Sequence, residues 1–160
     1  MKRQRDRDEQ GRAQNARPRD GLGRPLPHGS EGVERIPEDI VRPPEQSLSQ
    51  SRELFAAGRP FHAHEVLEGA WKSAPEPERG LWKALAQLAV GITHLRRGNP
   101  KGAVSLLTRA RDGIQPHVQD PPHGIRAAEL VDYAGELAAR VERDGVEDVP
   151  LDDLNPPLGG

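Results

Sequence analysis

The side chains whose types and spacing could do chemistry are concentrated in F-H-A-H-E-V-L-E-G-A-W-K, residues 61–72. On a helix, His64 and Glu68 stand one turn apart along one edge, and Trp71 falls two turns above His64. Neutral imidazole and carboxylate are ordinary ligands for Zn, Mn, Fe or Ni, and an i, i+4 pair aims both at a single point. Two ligands do not make a site. His94 is the candidate for the third, provided that its helix packs beside the first, and Gln87 lies seven residues before it on the same helical flank. The centre expected from these residues is one divalent metal ion held by His64, Glu68 and His94, with positions open for water. Hydrolysis at such a centre would use Glu65 or Gln87 to orient the water and Arg97 to steady an anionic group.

The same groups have a plainer reading. His64 and Glu68 can satisfy one another within a helix, and His94 can donate to Glu68 across an interface, which fixes helix register without any metal. Spacing alone favours this reading, because an i, i+4 His/Glu pair often arises by chance. The run His64-Glu65-Val66-Leu67-Glu68 also approaches the H-E-x-x-H of zinc proteases. Glu68 stands where the second histidine belongs, and Glu65 lies about 100 degrees around the helix, towards Lys72 and solvent or a salt bridge. Peptidase chemistry is therefore set aside. Trp71 and Trp82 read as core anchors. Arg96, Arg97, Asn99 and Lys101 gather at a helix reversal that could bind an anion, though capping explains them equally well. His62, His117 and His123 stand at no ligand spacing and receive no role. Phosphate loops, dinucleotide fingerprints and a Ser-His-Asp order do not occur.

Five helices are expected to position these residues. The first is capped by Ser47 or Ser49 and stops at Gly58; the second is Phe61 to Lys72, opened by Pro60 and closed by the prolines of 74–77. The third, about Glu78 to Arg97, carries Leu81, Leu85, Leu88, Ile92 and Leu95 as one stripe and Trp82, Ala86, Ala89 and Val90 around much of the rest, the pattern of a buried helix. Its Ala84 and Gly91 share a flank with Gln87 and His94, leaving a groove of small residues for a close neighbour, for which the 61–72 helix is one candidate. Gly98, Asn99 and Pro100 reverse the chain into a fourth helix with Ala103, Val104, Leu106, Leu107, Ala110 and Ile114 inward. A fifth runs from about Ile125 to Arg143. Strand alternation is missing throughout, and a 34-residue repeat is not detected. The fold class is all-α: an antiparallel bundle of about five helices over 45–145, between a disordered arm, 1–44, and an acidic flexible tail, 146–160.

Composition narrows the function classes. Hydrophobic residues make up 34% of the 160 residues, against 17 glycines and 16 prolines, so the apolar content must be concentrated, and it is concentrated between Ser47 and Val141. One core of about 100 residues folds without staples. With no cysteine, disulfides, thiolate metal sites and cysteine nucleophiles are excluded. The N-terminus carries no apolar run of the signal-peptide kind, and the most apolar run, 85–92, is too short to span a bilayer. A cytoplasmic location without membrane attachment is expected. A net charge of -2 gives no global attraction to nucleic acid. The first 25 residues hold eight basic and four acidic side chains but no interleaved aromatic, which favours a solvated tail over a nucleic-acid arm. The partner is unknown at this level, and homo-oligomerisation stays open.

Two blocks in order, L-F-A-A-G-R-P-F-H-A-H-E-V-L-E-G-A-W-K (54–72) and L-A-Q-L-A-V-G-I-T-H-L-R-R-G-N-P-K-G-A (85–103), resemble the family called domain of unknown function 309. These are small all-helical prokaryotic proteins marked by H-x-x-x-E-x-x-W or Y, matched here by His64, Glu68 and Trp71. The resemblance covers about 50 residues and reaches neither tail. It implies an all-helical fold and, since the family is described from that motif as metal-dependent hydrolases of unestablished activity, it implies His64 and Glu68 as ligands. His94 and the Arg97-Gly98-Asn99 turn match the second block. His62 departs from the family, which often has an acidic residue there. The resemblance adds weight to the metal reading that spacing does not supply.

Overall fold

Proline opens four of the five helices, where its fixed φ suits the first turn and its missing N–H costs nothing. The computed structural model describes residues 42–159. The helices are α1 (Pro44–Ala56), α2 (Pro60–Ser73), α3 (Glu76–Arg96), α4 (Pro100–Ile114) and α5 (Ala127–Asp144). Short 3-10 turns lie at Gln115–His117, Pro122–Gly124 and Leu151–Leu154. Each helix packs chiefly on its neighbour in sequence, α1 on α2, α2 on α3, α3 on α4 and α4 on α5, and no strand occurs among the described residues. This is the all-α antiparallel bundle expected. The expected disordered arm and its nucleic-acid reading lie almost wholly outside the described residues.

The third helix is the axis of the core. Leu81, Trp82, Leu85, Leu88, Ile92 and Leu95 are buried along it, with Ala84, Ala86 and Ala89 closing the rest of its circumference. Two positions set how near α4 comes. A Cβ on Gly113 would stand 2.8 Å from the Ala84 Cβ, and one on Gly91 would stand 3.0 Å from Leu107 Cγ. The small-residue flank of α3 therefore receives α4. The candidate α2 does not fill this groove, although it packs on α3 elsewhere; a glycine on α4 meets an alanine on α3 there and lets the two backbones close up.

Tight reversals do the rest. Gly98, at φ 79°, ends α3, and the Asn99 N–H then bonds back to the His94 carbonyl at 2.9 Å. The Asn99 side chain accepts from the Gly102 N–H at 3.1 Å and caps α4. Arg96 donates to the Gly58 carbonyl at 2.6 Å, which ties the end of α3 to the α1–α2 turn.

The segment 146–159 departs from the flexible tail expected of it. Leu154 and Leu158 are buried, Arg140 holds the Asp153 carboxylate at 2.8 Å, and the Tyr133 hydroxyl donates to the Asp153 carbonyl at 2.8 Å. An acidic, proline-broken stretch reads as loose by composition, but two leucines four residues apart give it apolar anchors and α5 supplies the counter-charge.

Candidate functional site

Helix α2 is buried on all sides through its central two turns. Residues 62–69 are all buried, including four ionisable side chains: His62 at 1% exposure, His64 at 9%, Glu65 at 1% and Glu68 at 2%. An amphipathic helix would bury one stripe; α2 lies between α1 and α3 and has no solvent face there. Burying a charged group is costly unless it is paired, so each of these side chains needs compensation from its surroundings.

Glu68 is compensated along its own helix. Its Oε2 lies 3.3 Å from His64 Nε2 and its Oε1 lies 3.7 Å from Lys72 Nζ. His64, Glu68 and Lys72 thus form a ladder at successive i, i+4 steps, which runs from the buried interior towards the half-exposed ammonium of Lys72. Phe61 packs beside the lower end of the ladder, with its ring centroid 5.4 Å from that of His64. The guanidinium of Arg97, at the end of α3, stands 6.0 Å from the Phe61 ring centroid. The sequence thus brings together His64, Glu68 and, through Phe61, Arg97.

His94 belongs to another face. Its Nδ1 lies 3.2 Å from Asn99 Nδ2, and a Cβ on Gly102 would come within 2.9 Å of its Cγ, so the ring sits over the first turn of α4. Burial, and then the charge of Arg97, hold its pKa below the ordinary 6.5. Among the described residues no group of three or more His, Cys, Asp or Glu side chains is placed to hold a metal ion. His64, Glu68 and His94 are thus not gathered as such a group in this packing.

The remaining candidates divide. Glu65 is almost wholly buried, not turned to solvent, and Lys72 stands by Glu68. Gln87 is half-buried on α3. Trp82 is a core residue, whereas Trp71 is only partly covered and has Lys83 Nζ 5.5 Å from its ring centroid. Asn99 and Arg96 act as a cap and a turn clamp.

Two features escape sequence reasoning. His62 is buried as deeply as the core leucines. His123, in a left-handed conformation at φ 57°, places Nε2 2.8 Å from Glu78 Oε1 and Nδ1 3.7 Å from Glu45 Oε1, while Trp82 Nε1 donates to the same Glu78 oxygen at 3.1 Å. Partial burial opposes ionisation of Glu78, but the bonds from Trp82 and His123 and the charge of His123 outweigh it and leave the pKa below the usual value. These partners lie up to 78 residues apart, as Glu45 and His123 do, so no local spacing could have shown them.

Residues 48–106 match the sequence profile of the family described as Domain of unknown function (DUF309). The matched span contains most of α1, all of α2 and α3 and the first half of α4, and so includes the whole ladder. "Uncharacterized protein YpuF" of Bacillus subtilis (strain 168) is 39% identical over 59 residues, which cover 36% of this chain and 34% of that protein. The chain thus spans about a third of the length of that curated relative. No solved structure matches it. No helix among the described residues is long and apolar enough to cross a membrane.

Proposed function

We propose, for a chain whose residues 48–106 belong to this family, a non-catalytic role as a helical structural and interaction module, in which the polar edge of α2 is a packing network. One observation carries the reading. The Glu68 carboxylate, 2% exposed, has His64 beside one oxygen and Lys72 beside the other, both on its own helix. A carboxylate held in this way fixes the rotamers of both neighbours and the rotation of α2 between α1 and α3. His94, bonded to Asn99 over α4, serves the α3–α4 reversal instead.

The test compares the wild type, purified without a histidine tag, with His64→Ala and Glu68→Gln. The packing role predicts a lower melting temperature for both variants, unchanged by Zn, Mn, Ni or Fe. Stoichiometric metal in the wild type that is lost in both variants would overturn it.

One observation favours a second reading, a hydrolase using a His64, Glu68 and His94 centre with Glu65, Gln87 and Arg97 assisting. Four buried ionisable groups within residues 62–68 are a costly arrangement of the kind that collects at functional sites. With His94 Nδ1 beside Asn99, that reading would use the Nε2 of His94, and it predicts a hydrolytic activity abolished by chelator and by His64→Ala in protein that stays folded.

A further inference from the structure

We propose that the surface beneath residues 146–159 is a docking groove for an acidic, leucine-bearing segment of a partner protein, occupied here by the chain's own C-terminal segment as a displaceable ligand. The proposal concerns a face remote in sequence from the α2 ladder and does not depend on how that ladder is used. The segment leaves α5 at Gly145, where φ is 80° and the helix ends, and Val146 and Val149 lie partly buried against the core.

Beyond Val149 it is held by a few discrete contacts. Leu154 and Leu158 enter the interior at 3% and 1% exposure, while the neighbouring Leu151, Asp152, Asp153 and Asn155 stay exposed. Around these two anchors the receptor side is basic and hydrogen-bonding. Arg140 grips the Asp153 carboxylate at 2.8 Å, Tyr133 donates to the Asp153 carbonyl, and Arg52 of α1 donates to the Gly159 carbonyl. The Arg126 N–H donates to the Leu158 carbonyl at 3.1 Å, and Ile125 and Gly159 form a single antiparallel bridge. A peptide can be recognised in this way, a 3-10 turn at Leu151–Leu154 followed by apolar anchors, main-chain bonds and a charge clamp.

Two features suit the segment to displacement. Fourteen residues are ordered by buried Leu154, Pro156 and Leu158, by partly covered Val146 and Val149 and by mostly exposed polar contacts, a modest return against the chain entropy lost. The receptor residues also come from separate places, α1 at Arg52, the turn before α5 at Ile125 and Arg126, and α5 at Tyr133 and Arg140, so the groove is built by the bundle and not by the segment. Charge complementarity sets the partner's chemistry: a short segment with two leucines four apart, an acidic residue just before the first, and a glycine after the second.

The experiment uses the full chain carrying Leu154→Asp and Leu158→Asp, titrated into a fluorescein-labelled peptide with the sequence of residues 146–160. The released chain should keep its helical circular dichroism and bind the peptide at least tenfold more tightly than the wild type, whose own segment competes. Adding Arg140→Glu should weaken that binding at least tenfold. A folded released chain that does not bind the peptide, or one that loses its helices, would overturn the proposal, the latter because the segment would then be core. Hydrogen exchange of the wild type gives a reading free of mutation: the Arg126 and Leu158 amides should exchange at least a hundredfold faster than those at the centre of α3, and equal rates would contradict displacement. A concentration-dependent dimer of the wild type that is abolished by the leucine substitutions would assign the groove to a second copy and overturn the partner proposal.

Discussion

Replacing His64 with alanine removes a group that faces a carboxylate with almost no access to water. The contact is 3.3 Å, the Glu68 side chain is 3% exposed, and Lys72, on the other oxygen, lies at 3.7 Å with nearly half of its side chain in solvent. Deleting one partner of a buried pair costs about 3–5 kcal/mol, and because Lys72 still faces Glu68 the low end, about 3 kcal/mol, applies. For a domain of this size each kcal/mol moves the melting temperature by about 4 °C, so His64→Ala should melt about 12 °C below the wild type. Lys72→Met, at an exposed partner, should cost about 1 kcal/mol or less. In a double-mutant cycle His64→Ala with Glu68→Gln should lose less than the sum of the two, with a coupling of about 1–2 kcal/mol. Calorimetry at neutral pH provides the melting temperatures. A His64→Ala shift under about 3 °C, or strictly additive losses, would refute the view that this pair carries the packing of α2.

Other substitutions probe the frame around that pair. Gly113→Ala gains helix propensity of about 1 kcal/mol but drives a methyl to 2.8 Å from the Ala84 Cβ, and overpacking of about 1–3 kcal/mol should win, lowering the denaturant midpoint. Asn99→Ala removes the acceptor that caps α4 at Gly102 and should cost about 1 kcal/mol in urea titrations. His94 is harder to protonate folded than unfolded, so its contribution is complete above the ordinary 6.5 and is lost as pH falls below it towards the folded value; His94→Asn should flatten the pH dependence of melting there. Glu78, held below its ordinary 4.5, contributes stability above that value and loses it as pH falls through the folded value, so Glu78→Gln should remove part of the acid-side decline.

Local periodicity made the helices legible. The leucine stripe of α3, the prolines at helix starts and the Gly98-Asn99-Pro100 reversal each report a constraint acting within a few residues, and all five helices follow from such signals. What was not legible is which face meets which. Ala84 and Gly91 do announce a close neighbour, but two helices compete for that groove, and the deciding residue, Gly113, is more than 20 positions away. Within α2 the i, i+4 step between His64 and Glu68 was readable, because it depends on helix geometry alone. The burial of His62 and Glu65 was not, since polar residues signal a solvent face unless two helices enclose them. His123 shows the same limit: its carboxylate partners come from the first turns of α1 and α3. The C-terminal segment failed by a different route, because acidic and proline content outweighed two well-spaced leucines.

The central claim is that His64 and Glu68 face each other and Lys72 within one helix, not a shared ion. Its most direct test is elemental analysis of tag-free protein after equilibration with Zn, Mn, Ni and Fe and gel filtration, run beside Glu68→Gln. The packing account predicts far less than one equivalent of any metal in either protein. One equivalent retained by the wild type and lost by Glu68→Gln would contradict it.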